Sequence, residues 1–273
     1  MAFEYEKYIR KGTLPHIWCP GCGHGIVMKS LLRAIEGLKL DKNDIAVISG
    51  IGCASRLPGY LDMNTLHTTH GRALAFATGI KLANPKLKVI VVSGDGDASA
   101  IGGNHLIHAA RRNIDITLLI FNNSIYGMTG GQVAPTTPIG AYASTMTYGN
   151  IDPPFDIVRL VEGAGATFVA RTTSYHTAQT EQLIKQAMTH KGFAVVDIID
   201  ACPTYFGRKN APKEAYDMMQ VQKDNSIPLQ IAQKKKPEEL QGKIITGIFV
   251  KKEMPEYTDT YYNTIIPKAM GSK

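Results

Sequence analysis

The feature that most constrains the fold is a series of short, apolar, β-branched segments separated by helical ones. Continuous runs of this kind are typical of strands that are buried on both faces of a sheet. Strands that alternate with helices predict a doubly wound, mainly parallel α/β sheet with right-handed crossovers. The predicted strands are 45–49, 89–93, 116–121, 167–170 and 194–199, and the predicted helices are 26–37, 71–82, 104–112, 157–163 and 177–189.

The 273-residue chain divides into two parts by composition. Residues 1–211 contain all the predicted strands and helices and are expected to form one α/β domain. From about Pro212 no further strand is predicted, because Lys, Gln, Glu and Pro dominate. We therefore expect residues 212–273 to be a C-terminal extension that wraps around a partner or stays partly mobile.

Composition and charge narrow the class of protein. With 44% hydrophobic and 19% charged residues, the chain can bury a sizeable core, which argues against global disorder. No apolar run approaches the roughly 20 residues that span a membrane, and the N-terminus lacks the apolar middle of a signal peptide, so we expect a cytoplasmic protein. The net charge of +7 fits a docking face for an acidic protein, a nucleic-acid-binding surface or an ordinary solvated surface.

Two short polar motifs follow consecutive predicted strands. Gly94-Asp95-Gly96 comes directly after one strand, and Asn122-Asn123 comes after the next. Open parallel sheets bind ligands at the carboxyl ends of their strands. Carboxylate and amide oxygens suit Mg²⁺, which usually keeps phosphate oxygens as further ligands, and the glycines let the backbone approach a diphosphate closely.

Each motif alone is a common turn or loop start, but together they resemble the thiamine-diphosphate fingerprint. A dinucleotide-binding loop is not indicated, because the sequence after Gly94 lacks the third glycine of that motif. The Lys-Ser/Thr pair of a P-loop is also missing.

The four cysteines of the chain are Cys19, Cys22, Cys53 and Cys202. The motif Cys19-Pro20-Gly21-Cys22 could be a redox dithiol, half of a zinc site or half of an iron–sulfur site. No strand precedes it, as a thioredoxin-like motif would require, and zinc sites tend to combine two close pairs. The other two cysteines each follow a predicted buried strand, so they could join the pair around one cluster or be small buried hydrophobic side chains.

Several motifs follow one another along the chain: Cys19-Pro20-Gly21-Cys22-Gly23-His24, Ile51-Gly52-Cys53, His70-Gly71-Arg72-Ala73, Gly94-Asp95-Gly96-Asp97, Asn122-Asn123-Ser124-Ile125-Tyr126-Gly127 and Thr129-Gly130-Gly131-Gln132. Together they resemble the β subunits of 2-oxoacid:ferredoxin oxidoreductases. The resemblance extends from about Trp18 to Pro203. The C-terminal extension is also similar to these subunits, but it contains no motif.

The resemblance implies three cofactors: thiamine diphosphate, Mg²⁺ and one 4Fe–4S cluster held by the four cysteines. Asp95, Asn123 and the main-chain carbonyl of Ile125 are expected to bind Mg²⁺. Asp97 is expected to line the diphosphate with the two glycines of its motif, Gly94 and Gly96, although it could instead cap the helical turn that follows. Further cofactor contacts are implied for Cys22, His24, Ile51, Gly52, His70 and Gly127.

The resemblance also implies a reaction and a partner. The reaction is the oxidative decarboxylation of a 2-oxoacid, with electrons passed through the cluster to ferredoxin and the acyl group passed to coenzyme A. Thiamine activation usually needs a Glu, which in two-subunit members of the family lies on the pyrimidine-binding domain of a separate α subunit. Because this chain contains no second thiamine-type domain, we expect it to be inactive alone and to work in a heterodimer or heterotetramer.

The expected substrate is 2-oxoglutarate. Arg56 could read its distal carboxylate through a bidentate guanidinium contact, or it could form an ordinary surface ion pair. Met128 could shape the substrate pocket or simply pack. His67, His70 and Arg72 are further candidates for phosphate or carboxylate contacts, although a histidine here could equally bond a loop backbone.

Alternatives remain open within and outside this class. A pyruvate- or branched-chain-specific relative would share every motif above. A zinc-bearing nucleic-acid-binding protein would explain the basic charge, but the interleaved aromatic residues and paired Cys/His spacing expected there are missing. A thiamine-dependent decarboxylase without redox function would leave the cysteines unexplained.

Overall fold

The computed structural model describes residues 3–271, which fold around one large sheet. The strands are β1 (Ile45–Ser49), β2 (Asn64–His67), β3 (Lys88–Gly94), β4 (Thr117–Asn122), β5 (Ile125–Tyr126), β6 (Gln132–Val133), β7 (Phe168–Thr173), β8 (Ala194–Ile199), β9 (Ser226–Pro228) and β10 (Ile244–Lys251). The helices are α1 (His24–Gly37), α2 (Ala73–Ala83), α3 (Gly103–Arg112), α4 (Ile157–Gly163), α5 (Thr177–Thr189), α6 (Ala215–Asn225), α7 (Leu229–Ala232), α8 (Tyr257–Thr260) and α9 (Ile266–Ala269).

The large sheet has eight strands in the order β2-β1-β3-β4-β8-β7-β10-β9. The six strands from β2 to β7 in this order are all parallel to their neighbours, which confirms the predicted mainly parallel sheet. Strands β5 and β6 form a separate antiparallel pair beside its carboxyl edge. None of the helices within residues 3–271 is both long and apolar enough to cross a membrane.

Two apolar layers, one on each face of the sheet, account for this doubly wound arrangement. Consecutive strand residues point to opposite faces, so Val47 packs into the layer under α1 and α5, whereas Ile48 packs into the layer under α2, α3 and α4. Both side chains are fully buried. The continuous apolar runs of the sequence therefore reflect strands covered by helices on both faces.

The prediction that strands stop near Pro212 is wrong. Strand β10 lies in the C-terminal segment and pairs antiparallel with β7, and β9 pairs with β10. The side chains of β10 contact both apolar layers, with Ile248 against one and Phe249 against the other. The strand was missed because most of its residues are only half-buried near the sheet edge, so it lacks a continuous apolar signal. Whether residues 212–273 also wrap around a partner remains a prediction.

The end of the C-terminal segment is held against the start of β4. Glu256 is 3% exposed and accepts hydrogen bonds from the main-chain N–H groups of Asp115, Thr258 and Asp259. The Asn113 side chain donates to the main-chain oxygens of residues 254 and 255. These contacts satisfy buried polar groups at the edge of the sheet opposite the carboxyl ends of the strands.

A buried ion pair lies at the same edge. Lys81 is 2% exposed, and its Nζ is 2.6 Å from Asp115 Oδ2 and 3.0 Å from the carbonyl oxygen of Leu87. Burial by itself raises the pKa of Asp115, but the neighbouring cations Lys88 and Lys81 outweigh it and hold the pKa below its usual value. The pair therefore stabilises the fold above about pH 4, and its contribution is lost as the pH falls through the lowered pKa.

Replacing Lys81 with Met is expected to lower the free energy of unfolding by about 3 kcal/mol, because it leaves Asp115 buried without its closest cation. Lys191 Nζ lies 3.7 Å from the same carboxylate. Because this second cation remains, the loss of stability should be at the low end of the range found when buried ion pairs are broken. Denaturant unfolding at pH 7 measures it. The exposed Lys86→Met is the matched control and should change stability by less than about 0.5 kcal/mol. Equal stabilities of the two variants would contradict this account.

Candidate active site

A cleft opens at the carboxyl ends of β3 and β4, which are neighbours in the sheet. Its volume is about 390 Å³. The two predicted motifs meet there, as expected for the loops that follow adjacent parallel strands. The residues lining it are His24, Ile51, Gly52, Cys53, Ala54, His70, Gly94, Asp95, Gly96, Asp97, Phe121, Asn123, Ile125, Tyr126, Gly127, Met128, Thr129 and Gln132.

Asp95 is one of two buried carboxylates that line this cleft, with Asp97. It is 2% exposed, and the hydroxyl of Thr136 donates to its Oδ2. Burial raises the pKa of Asp95 to about 6, because the charged form of the carboxyl group loses its contact with water. Asn123 and Ile125 line the same cleft and could add an amide and a main-chain oxygen. Such hard oxygen ligands beside an open space for phosphate are what Mg²⁺ requires.

The two asparagines of the pair have different surroundings. Asn122 donates from Nδ2 to Asp197 Oδ1 at 3.1 Å, and its own Oδ1 is a buried atom without a hydrogen-bond partner. Asp197 in turn accepts from Arg171 Nε at 2.8 Å. Asn122 therefore stabilises the sheet, whereas only Asn123 lines the cleft.

Asp97 holds three loops together. Its Oδ1 is 2.6 Å from His70 Nδ1 and accepts from the N–H groups of Gly71 at 2.7 Å and Ile51 at 3.2 Å, while the Ser93 hydroxyl donates to Oδ2. Asp97 is the first residue of the helical turn 97–101 and not its N-cap residue, and its side-chain bonds go to other segments, so the capping interpretation is wrong. Asp97 lines the cleft, and its hydrogen bonds fix the loops after β1 and β3 and the loop before α2 relative to one another.

The glycines of the cleft leave the space that a diphosphate needs. A Cβ built on Gly94 would meet no atom within 4 Å, so any side chain there would project into open space. A Cβ on Gly96 would lie 2.3 Å from the Tyr126 ring, whose hydroxyl donates to the Gly96 carbonyl at 3.2 Å. Position 96 therefore requires glycine, because a side chain there would clash with Tyr126. Together, the residues of the cleft fit a Mg²⁺-bound diphosphate.

A second cavity, of about 200 Å³, is lined by all four cysteines, which come from three separate segments. The N-terminal segment is held in place by Trp18, whose indole Nε1 donates to the carbonyl oxygen of Cys53 at 2.7 Å. A Cβ built on Gly127 would lie 3.5 Å from Cys53 Sγ and 3.7 Å from Cys202 Sγ. The structure therefore brings together thiols that are up to 183 residues apart in the sequence, from Cys19 to Cys202.

The thiol environment argues against a redox dithiol. Burial raises the pKa of Cys53 to about 11. The pKa of Cys22 is raised further, mainly by burial and to a smaller extent by the nearby negative charge of Asp200. Burial also raises the pKa of Cys202. A reactive dithiol needs a lowered thiol pKa. Thiols in such surroundings become thiolates when they bind a metal, whose positive charge compensates for burial.

The spacing of the cysteines also argues against a single zinc ion. Four sulfurs around one zinc lie roughly 3.8 Å apart, given Zn–S bonds of about 2.3 Å. Within the described residues, the one trio of metal-binding side chains whose ligand atoms lie mutually within 4.8 Å is Cys22, His24 and Asp200, and no trio of cysteines does so. The four thiols line one cavity without the close spacing of a single zinc site, and this donor set fits an iron–sulfur cluster.

The two cavities share a wall. Cys53, Asn123, Gly127 and Met128 line both of them. Gly127 lies beside the sulfurs of Cys53 and Cys202, since a Cβ built on it would be in van der Waals contact with both. Groups bound in the two cavities would therefore lie close together.

The predicted site residues fall into three groups. All the expected cofactor contacts line the cleft except Cys22, which lines the cysteine cavity instead, and Met128 lines both. Arg56, His67 and Arg72 are exposed and line neither cavity. His67 Nδ1 is 3.0 Å from Ser49 Oγ, and Arg72 contacts His105. Arg56 therefore does not reach either cavity in this chain, and its contact with a substrate remains a prediction.

Two polar residues of the site were missed by sequence reasoning. Thr136 bonds Asp95, and Asp200 lies 2.6 Å from His24 Nδ1. A signal existed for Asp200, because it directly follows a buried strand and precedes a cysteine by two residues. Thr136 lies in a Gly- and Pro-rich loop, where nothing in the sequence distinguishes it from the neighbouring Thr137.

Comparison with known proteins agrees with this geometry. Residues 50–198 match the family model described as the thiamine pyrophosphate enzyme, C-terminal TPP binding domain. The chain is 51% identical over 265 residues to 2-oxoglutarate synthase subunit KorB of Methanothermobacter marburgensis, and the aligned region covers 97% of this chain and 93% of that protein. It is 51% identical over 260 residues to the same-named subunit of Archaeoglobus fulgidus, covering 95% of this chain and 93% of that protein.

Among solved structures, one similar chain comes from the 2-oxoglutarate:ferredoxin oxidoreductase of Magnetococcus marinus with 2-oxoglutarate, coenzyme A and succinyl-CoA bound. The two chains superimpose with a TM-score of 0.87 at 34% identity, covering 99% of this chain and 92% of the other.

The fold and the cleft thus define a thiamine-pyrophosphate-binding enzyme domain. Within that class, the chain belongs to the β subunits of the 2-oxoacid:ferredoxin oxidoreductases, in the group named 2-oxoglutarate synthase subunit KorB. The zinc-bearing nucleic-acid-binding alternative gains no support from these relatives.

Proposed function

We propose that this chain is the β subunit of a 2-oxoglutarate:ferredoxin oxidoreductase. With an α subunit, the enzyme converts 2-oxoglutarate and coenzyme A to succinyl-CoA and carbon dioxide and passes two electrons to ferredoxin, in a reaction that is reversible in principle. The proposal is supported by relatives that share about half of its residues and are named 2-oxoglutarate synthase subunit KorB, and by the similar 2-oxoglutarate:ferredoxin oxidoreductase structure with 2-oxoglutarate, coenzyme A and succinyl-CoA bound.

The observation that carries the proposal is the wall shared by the cofactor cleft and the cysteine cavity. Bound thiamine diphosphate supplies an electron sink for decarboxylation, and a 4Fe–4S cluster supplies an acceptor of single electrons. A thiamine enzyme without redox function has no need for four cysteines beside its cofactor. This arrangement therefore favours an oxidoreductase over a simple decarboxylase.

In this proposal, residues of the chain bind and orient the cofactor. Asp95, Asn123 and the main-chain carbonyl of Ile125 hold Mg²⁺, and the open backbone at Gly94 accepts the diphosphate. Asp97 keeps the surrounding loops in place through its four hydrogen bonds. Cys19, Cys22, Cys53 and Cys202 hold the cluster.

A second subunit is expected to complete the cleft. Among the described residues that line the cleft there is no Glu to activate the aminopyrimidine ring. Ile51 is 39% exposed and Met128 is 44% exposed, although both line the cleft. Large apolar side chains at the mouth of a site are typical of a surface that another protein covers. We infer that the α subunit covers this mouth and supplies the Glu.

The test is turnover by the anaerobically purified complex of both subunits on a panel of 2-oxoacids, with ferredoxin and coenzyme A present. The proposal expects 2-oxoglutarate to give the highest kcat/KM and this chain alone to give none. A preference for pyruvate or branched-chain 2-oxoacids would favour the alternative specificity. Turnover by this chain alone would refute the requirement for a partner.

We further propose that Arg56 binds the distal carboxylate of 2-oxoglutarate after the α subunit has covered it. Its segment, the turn Ala54–Tyr60, directly follows Cys53. A charge-assisted hydrogen bond contributes about 1.5–3 kcal/mol, or roughly ten- to a hundredfold in affinity. Arg56→Leu should therefore reduce kcat/KM for 2-oxoglutarate by that factor and spare 2-oxobutyrate, which has no distal charge.

The matched control for this variant is Arg112→Leu, because Arg112 is also exposed but lies at the C-terminal end of α3, away from the cleft. It should leave both substrates unchanged. An equal fall for the two substrates in Arg56→Leu would mean that Arg56 serves the fold or the cluster rather than specificity.

A further inference from the structure

A buried polar trio lies between the cysteine cavity and the cofactor cleft. His24 Nδ1 is 2.6 Å from Asp200 Oδ2 and 3.2 Å from Cys22 Sγ. The His24 side chain is 1% exposed and the Asp200 side chain is 0% exposed. Because water is excluded, little competes with these two contacts, and each is stronger than it would be at the surface.

The surroundings of the trio prevent the imidazole from turning away. The Trp18 and Phe121 rings meet it edge-on, with centroid distances of 5.7 Å and 5.1 Å. The preceding glycine makes room for the carboxylate, since a Cβ on Gly23 would lie 1.7 Å from Asp200 Oδ1. The glycine between Cys22 and His24 is thus required for the contact between His24 and Asp200.

The direction of the hydrogen bonds follows from the partners. A carboxylate accepts hydrogen bonds, and so does the thiolate of a metal-bound cysteine. Both acceptors converge on one nitrogen, so Nδ1 must carry the hydrogen and share it between Asp200 and Cys22. A carboxylate that accepts a hydrogen bond from a histidine fixes the tautomer and the ring orientation of that histidine, as it does beside metal sites.

We propose that His24 is a positioning residue that donates an Nδ1–H hydrogen bond to the sulfur of Cys22 and thereby raises the reduction potential of the cluster. The inference rests on the proposed function, since it requires a cluster bound at Cys22. Hydrogen bonds to cysteine sulfurs stabilise the reduced cluster, which carries the more negative charge, and are among the main determinants of its potential. Asp200 keeps His24 in the orientation that allows the bond.

The test uses two substitutions that separate the nitrogens of the ring. In His24→Asn the side-chain amide is attached at the same carbon as Nδ1, so it can still donate to Cys22. In His24→Gln the amide lies one bond further out, near the position of Nε2, and the donor to Cys22 is lost. Both variants are made in the anaerobically purified complex with the α subunit, and iron content is measured for each.

The readout is the midpoint potential of the cluster from a redox titration followed by electron paramagnetic resonance. We expect His24→Gln to retain its iron and to have a lower potential than the unsubstituted complex, whereas His24→Asn stays close to it. Equal midpoint potentials in the unsubstituted complex and both variants would overturn the proposal. An equal fall in both variants would also overturn it, because the effect would then not depend on the donor at Nδ1.

Two further outcomes are decisive. If both variants lose their iron, His24 is needed to assemble the site and not to adjust its potential, and the proposal fails. If the unsubstituted complex contains no cluster, the proposed function fails as well. The iron content of the unsubstituted complex therefore distinguishes failure of this inference from failure of the proposed function.

Discussion

Replacing Cys202 with Ala is expected to remove most of the iron and the visible absorption band from the anaerobically purified complex. Cys202 lines the same cavity as the other three cysteines, and the cluster is expected to use all four as ligands. The fold should survive the change, because Cys202 packs in a small apolar group around Ile125 and Ala143, and Ala is a small apolar residue as well.

Iron analysis, acid-labile sulfide and the visible spectrum measure the effect of this substitution. Thr204→Ala is the matched control, since Thr204 lines the same cavity without being an expected ligand. It should retain its iron. Full iron content in Cys202→Ala would rule out the four-cysteine ligand set.

Replacing Asp95 with Ala should weaken thiamine-diphosphate binding by more than about a hundredfold, because the diphosphate loses the metal ion that bridges it to the protein. Calorimetric titration of the complex in the presence of Mg²⁺ measures the affinity. The exposed Asp152→Ala is the control and should bind normally. Unchanged affinity in Asp95→Ala would contradict the magnesium site.

The same substitution should not destabilise the cofactor-free protein. Burial raises the pKa of Asp95 to about 6, which means that the folded state disfavours the charged carboxylate when no cation is bound. Its removal therefore costs the fold little beyond the hydrogen bond from Thr136. A large fall in thermal stability without cofactor would indicate a structural role instead.

The parallel part of the fold could be predicted from the sequence because its strands are buried on both faces. Strands β1 and β8 were predicted with the bounds that the structure has, and β3 and β4 within one residue at each end. The strands of the large sheet that were missed, β2, β9 and β10, lie at or near its edges and are largely exposed or half-buried. A half-buried strand next to charged residues has no continuous apolar run, so local sequence does not reveal it.

In the candidate site, too, residues next to a buried strand could be located from the sequence, whereas contacts between residues far apart in the sequence could not. Asp95 and Asn123 could be located because each follows a buried strand, and the ends of adjacent strands meet. The role of Asp97 could not be predicted, since its hydrogen bonds reach Ile51 and Gly71, which are 46 and 26 residues away. Arg56 was expected to contact the substrate from its position after Cys53, and the 3₁₀ turn that contains it leaves its side chain exposed in this chain.

If this chain holds a thiamine site and an iron–sulfur site side by side for electron transfer, the substrate should reduce the cluster without an external acceptor. The most direct test is the visible spectrum of the anaerobic complex before and after addition of 2-oxoglutarate and coenzyme A, without an external acceptor. We expect the band to bleach in the unsubstituted complex and to stay unchanged in Asp95→Ala, although that variant keeps its iron. An unsubstituted complex with full iron and thiamine content whose band does not respond to any 2-oxoacid would contradict this expectation.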